Sequence, residues 1–206
     1  MGSELQLPAN LALWLALAAL PLLLAACTAF TKISIVLAAL RTGLGAEKLL
    51  PLAAMLSLAL ILSALAMAPT AEVCALALEL AGGVEALEAT PWSTGLATLE
   101  PLWTFLAEHA RAEEIELFAE LSGFEASSPV TLIPAFLISE LARGLELGVM
   151  ILLPFVVVDL ICAQSLVLLG LTNISPAVVA LPAKILLFLA ADGWTTVALA
   201  LVEGYR

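Results

Sequence analysis

Apolar residues fall into four long blocks along this chain, separated by short polar breaks and one acidic stretch. The first block runs from Leu11 to Leu40 and is interrupted by Pro21 and Lys32. Arg41-Thr42-Gly43-Leu44-Gly45 reads as the helix stop that closes it. The second block, Leu49 to Met67, is about 19 residues long and stops at Pro69, where roughly 20 are needed to cross a bilayer. The third and fourth lie between Ile133 and Trp194, joined by the polar turn Thr172-Asn173-Ile174-Ser175-Pro176. From Ala71 to Ser128 the character changes: acidic residues recur, and turn signals appear at Gly82-Gly83, Pro91, Gly95, Pro101 and Gly123. Within that stretch, Leu102, Phe105, Leu106, Ile115, Phe118 and Leu121 can form an apolar stripe, which predicts helix over Pro101 to Leu121. The expected fold is all-α: hydrophobic helical hairpins with kinked helices and a small acidic helical insert. The hairpins take residues 1–70 and 132–206, the insert takes 71–131, and the whole forms one structural unit.

Charges inside the apolar blocks change this picture. Asp159 lies in the third block, and Lys184 and Asp192 lie in the fourth. A charge at the centre of a membrane helix costs roughly 2.5–3.5 kcal/mol on insertion scales, so these residues should face protein or water. Counting from Asn173 at 1.5 Å per residue, Asp159 and Lys184 sit roughly 21 and 17 Å from the turn. Adjacent antiparallel helices would bring them to one depth, close enough to pair. Asp192 falls about 80° further round the helix and needs another partner. Ahead of the third block, Glu140, Arg143 and Glu146 follow at three-residue steps on a helix begun near Pro134, in a narrow polar stripe with Ser139. Such a row either satisfies itself or meets a polar surround. Pro154 and Pro182 would kink their helices and free carbonyls that neighbours must satisfy.

Composition agrees with a membrane protein. Of 206 residues, 63% are hydrophobic and 12% charged, with a mean hydropathy of +1.15. Soluble domains average roughly 45–50% apolar and about 25% charged. The net charge of −11 with seven scattered bases excludes a nucleic-acid partner. Arg41 and Lys48 flank the one clearly basic loop, which the positive-inside rule places in the cytoplasm and the acidic insert on the far side. No basic segment precedes the first block, which argues against a cleaved signal peptide; Leu24-Ala25-Ala26-Cys27 mimics a lipoprotein processing site by chance. Cys27, Cys74 and Cys162 show no pairing or zinc spacing and read as small core residues. His109 is the sole histidine, so no metal site is expected, and Glu113, Glu114 and Glu116 read as a solvated helix face. No nucleophile–base arrangement or glycine-rich loop accompanies them, so neither an enzyme nor a cofactor is expected.

Three blocks of residues then carry a family resemblance. They are Phe30-Thr31-Lys32-Ile33-Ser34-Ile35-Val36 with Leu40-Arg41 and Leu44-Gly45; Ser139-Glu140-Leu141 with Gly148, Pro154-Phe155 and Asp159-Leu160; and Leu181-Pro182 with Lys184, Leu186-Leu187-Phe188 and Asp192-Gly193-Trp194. In this order the chain resembles the FliP/SctR family, the export-gate subunit of flagellar and virulence type III secretion systems. The resemblance implies a non-enzymatic subunit of the bacterial inner membrane. It would form a pentamer, joined by R/T-type and Q/S-type partners in a helical cone through which unfolded proteins leave. Lys32, Arg41, Glu140, Arg143, Asp159, Lys184 and Asp192 would then be inter-helix or inter-subunit contacts. The family's last hairpin turn carries methionines that seal the pore; the corresponding Leu171, Thr172, Asn173 and Ile174 contain none. The Thr-Lys-Ile-Ser-Ile wording is nearer the virulence branch. The competing reading is an ion-coupled secondary transporter using the buried Asp and Lys residues as a relay.

Overall fold

The structure is a computed structural model that describes residue 18 and residues 21–23, 25–82 and 99–205. Among these the ordered elements are all helical. Helix α1 is Phe30–Leu44, α2 Leu52–Leu80, α3 Glu100–His109, α4 Ala112–Ser122, α5 Pro129–Leu168, α6 Pro176–Ala190 and α7 Gly193–Glu203. A helical segment, Pro21–Cys27, precedes α1 and meets it at 85°.

The α1–α5 pair is the spine against which α2, α3, α4 and α6 pack, while α7 lies on α2 and α6. From α1, Ile33, Val36, Leu37 and Leu40 are each at most 1% exposed. From α5, Gly144 and Gly148 leave space on the facing side: a Cβ on Gly144 would lie 3.3 Å from the Lys32 Cα and the Ile35 Cβ, and one on Gly148 would lie 3.1 Å from the Ala39 Cβ. Small residues four apart let two helix backbones approach closely, which is how helices associate where lipid offers no hydrophobic gain. Reciprocally, a Cβ on Gly43 of α1 would meet the Phe155 ring at 2.7 Å. Helix α1 ends where the sequence placed its stop. Gly45 is left-handed (φ 67°) and its N–H returns to the Thr42 carbonyl. Arg41 closes the following loop, donating from Nε to the Leu50 carbonyl at 2.6 Å and from its guanidinium to the Glu47 carbonyl at 2.9 Å.

Four expectations about boundaries need correction. The second apolar block does not stop at Pro69: α2 runs through it to Leu80. Proline removes one N–H from the ladder but need not end a long helix whose neighbours hold it. The acidic stripe is not one helix but two, broken at Ala110–Arg111, both in extended backbone. Helix α5 starts at Pro129, well before Pro134, and continues for 40 residues through Pro134 and Pro154. At 1.5 Å per residue it is roughly 60 Å long, about twice the hydrocarbon thickness. Finally, the fourth apolar block is not one helix. It turns by 61° between α6 and α7, at Asp192, whose φ of 48° is left-handed. Hydropathy alone suggests four spans. Among the described residues two helices, α2 and α5, are long and apolar enough to cross a membrane, or up to four spans if each bent pair counts as one.

The α5–α6 connection is built by a backbone motif. Gly170 takes the left-handed conformation (φ 73°); its N–H bonds the Val167 carbonyl, and the Leu171 N–H bonds the Leu166 carbonyl. That pair of bonds satisfies the last carbonyls of α5. Ser175 then stands at the N-cap and Pro176 opens α6.

Candidate functional site

Two ionic centres lie along the spine. The deeper one joins α1, α5 and the chain's end. Glu140 is fully buried and Lys32 is 4% exposed; Lys32 Nζ and the Arg143 guanidinium each lie 3.7 Å from Glu140 Oε1. The other oxygen, Oε2, accepts the Tyr205 hydroxyl. Lys32 Nζ also sits 3.4 Å above the Tyr205 ring, a cation–π contact. Oε1 accepts no hydrogen bond among the described residues, so two nearby cations and one phenol carry the whole compensation of this carboxylate. Taking an unpaired charge out of water is far more expensive than breaking a surface pair, which makes this centre the one the fold depends on.

The second centre holds the last hairpin. Lys184 Nζ on α6 lies 2.6 Å from Asp159 Oδ2 on α5 and donates to the Gly43 carbonyl of α1 at 2.9 Å. Gly43 has no side chain, so the lysine reaches a carbonyl close to its helix end, where the backbone dipole favours a cation. The two ends of the pair differ: the Lys184 side chain is 8% exposed and that of Asp159 is 47% exposed. One carboxylate oxygen therefore faces outward from an apolar hairpin.

The Glu140–Arg143–Glu146 row satisfies itself only in part. Arg143 reaches Glu140 on one side and donates at 2.6 Å to the His109 carbonyl at the end of α3. Glu146 is claimed by Arg111, 2.6 Å away, at the α3–α4 break. The carboxylate's hydrogen bond holds the Arg111 guanidinium above its ordinary value. Ser139 Oγ accepts the Arg111 backbone N–H at 2.8 Å and donates to the Ala135 carbonyl at 2.7 Å. These contacts explain why the acidic stripe splits in two: α5 supplies partners for the backbone groups that the break releases. The Arg111–Glu146 pair is solvent-exposed, where ion pairs contribute little. Glu146→Gln is accordingly expected to leave the thermal midpoint of the detergent-solubilised protein unchanged, as read by circular dichroism.

Asp192 joins neither centre. Eight residues after Lys184 on one straight helix would put it round the side of that helix, but the helix ends at Ala190 and Asp192 turns the corner instead. It is exposed and accepts the Thr195 hydroxyl at 3.1 Å. Arg41 serves its own loop. Leu171, Thr172, Asn173 and Ile174 are all exposed at the hairpin tip, where the Thr172 hydroxyl lies 3.3 Å from the Asn173 side-chain oxygen. Tyr205 escaped the reading of the sequence, although it is the only tyrosine and closes an otherwise apolar segment. Among the described residues no cluster of His, Cys, Asp and Glu could hold a metal.

These charges are set in an order that can be compared with known proteins. A family model described as the FliP family matches residues 13–201. The chain belongs to the FliP family. FliP-family proteins are components of the type III secretion export gate. The Yop proteins translocation protein R of Yersinia pestis is 36% identical over 200 residues, covering 90% of each chain. The flagellar biosynthetic protein FliP of Caulobacter vibrioides is 35% identical over 188 residues, covering 87% of this chain and 69% of that one. The hypersensitivity response secretion protein HrcR of Ralstonia nicotianae is 32% identical over 205 residues, covering 93% and 94%. Flagellar and virulence relatives thus stand at similar distance. FliP membership makes the chain a structural component of a secretion apparatus, and it lends no support to an ion-coupled transporter. Its apolar helices and its FliP relatives together fit an inner-membrane protein.

Proposed function

We propose that this chain is a core subunit of the export gate in a bacterial inner membrane. With copies of itself, as a pentamer, and with R/T-type and Q/S-type subunits, it forms the pore through which unfolded proteins leave. The observation that carries this reading is the outward face of α5 around Asp159. Val156, Val157, Leu160 and Ile161 are each more than half exposed, and on the same stretch of α5 the Asp159 side chain is 47% exposed beside Lys184. Lipid suits the aliphatic residues but not the carboxylate, whose presence in hydrocarbon costs roughly 2.5–3.5 kcal/mol. A neighbouring subunit with an apolar face and one polar group satisfies both. In this assembly Asp159, Lys184, Glu140, Arg143, Lys32, Arg41 and Asp192 are inter-helix or inter-subunit contacts, and Leu171, Thr172, Asn173 and Ile174 form the pore-gate turn. The basic loop between Arg41 and Lys48 supports a cytoplasmic position for that loop and a periplasmic one for the acidic insert. The wording around Lys32 favours the injectisome over the flagellum.

The test is to co-express the chain with its R/T-type and Q/S-type partners, extract gently and weigh the particle by native mass spectrometry. Several copies of this chain with the partners are expected; recovery of single chains only, under conditions that keep the helices intact, would sink the proposal. Asp159→Ala and Lys184→Met should each reduce the yield of that particle strongly. The double variant should recover part of it, since no lone charge then remains at the interface.

A further inference from the structure

The last helix is strained at one end and tied at the other. At its start, Asp192 holds a left-handed conformation (φ 48°, ψ 46°), which residues with a Cβ adopt only at a cost. The axes of α6 and α7 meet there at 61°. Gly193 follows, and the Phe188 ring fills the place of any Cβ, with a carbon 2.2 Å from that position. At the far end Tyr205 is 8% exposed. Its hydroxyl is bonded to Glu140 of α5, its ring lies under Lys32 of α1, and it stacks 6.0 Å from the Phe105 ring of α3, with His109 at 5.3 Å. Between the ends, Thr195, Thr196, Leu199 and Ala200 face outward.

We propose that α6–α7 is a two-position element, with Asp192–Gly193 as its hinge and Tyr205 as the latch that keeps it bent. If Asp192 relaxes to right-handed helix, α6 and α7 become one continuous rod and the left-handed cost disappears. The phenol–carboxylate bond and the aromatic stack oppose that relaxation by holding the far end on α5, α1 and α3. Latch and strain are thus opposed across one short helix, so a modest change at either end moves the whole segment. The proposal concerns a single chain and does not depend on how many copies assemble.

Tyr205 is the only tyrosine, so 3-nitrotyrosine formed by tetranitromethane in the detergent-solubilised full chain, read by mass spectrometry apart from the reagent's oxidation of cysteines, reports the latch. Asp192→Ala, which disfavours the left-handed corner because alanine lacks the short polar side chain that tolerates it, should speed nitration by about tenfold. Asp192→Gly, which accepts the corner freely, should nitrate no faster than the native chain. In Tyr205→Phe, hydrogen exchange followed by mass spectrometry should quicken by a similar factor in the peptide covering α7 while α1 and α5 keep their native rates. The proposal is overturned if Asp192→Ala and Asp192→Gly nitrate alike. It is equally overturned if exchange in Tyr205→Phe is native-like, or rises as much in α1 and α5 as in α7. Should Asp192→Ala fail to fold, the exchange measurement on Tyr205→Phe decides by itself.

Discussion

Glu140→Ala is expected to be the most damaging single change in the chain, with a loss of about 3–5 kcal/mol, the usual effect of removing one partner from a buried ion pair. The substitution deletes the carboxylate that, among the described residues, pairs with Lys32, whose side chain is 5% exposed, and takes away the acceptor of the Tyr205 hydroxyl. Lys32 is held away from water, because it stands on α1's buried face with 4% of its surface exposed. It must stay charged and unpaired, lose its proton, or force α1 away from α5. The double variant Lys32→Met with Glu140→Met removes the charge together with its partner and should regain most of the loss, since apolar replacement of a buried pair is often close to neutral. Unfolding titrations in mild detergent, read by circular dichroism, compare the three proteins. Equal stability of the single and double variants would show that pairing across the spine is not what holds it.

Gly144→Leu should be the next most damaging substitution, costing about 1–3 kcal/mol or more through overpacking. A methyl group at this position already lies 3.3 Å from the Lys32 Cα, which is backbone and cannot swing aside as a side chain would. The larger residue must therefore lever α1 off α5, disturbing the neighbouring Lys32–Glu140 contact as well. Gly144→Ala should be tolerated at a smaller loss, because the neighbours need to give by only a few tenths of an ångström. The same unfolding titration ranks the two. If the leucine variant matches the alanine variant, the close approach of the two helices is not tight enough to matter.

Much of the architecture was open to inspection in the amino-acid order. Long apolar blocks announce helices, Gly45 announces the end of α1, and counting residues from the turn brings Asp159 and Lys184 to one depth; in the structure they are 2.6 Å apart. The FliP family could be recognised because its charged and aromatic residues punctuate an otherwise uniform background of Leu and Ala. Boundaries were less open. Pro69 read as a stop and Pro134 as a start, but both lie within helices, because a proline ends a helix only when nothing else holds the chain straight. The split of the acidic stripe at Ala110–Arg111 was hidden too, since its cause is far away: Ser139 and Arg143 on α5 accept and donate to the freed backbone groups.

By itself, the order of residues determined that this chain forms apolar helices and that it belongs among export-gate proteins. Those properties depend on local period, composition and spacing, which are written along the chain. Only the tertiary structure decided which charge meets which. Lys32 was read as an inter-helix or inter-subunit contact with no partner named; it pairs with Glu140 more than a hundred positions away, and Tyr205 at the far end of the chain completes the same centre. Partner choice of this kind follows from how helices cross, here from the small residues Gly144 and Gly148 that bring α1 and α5 together. It follows equally from a corner at Asp192, beyond which the last helix carries Tyr205 to Glu140 and Lys32.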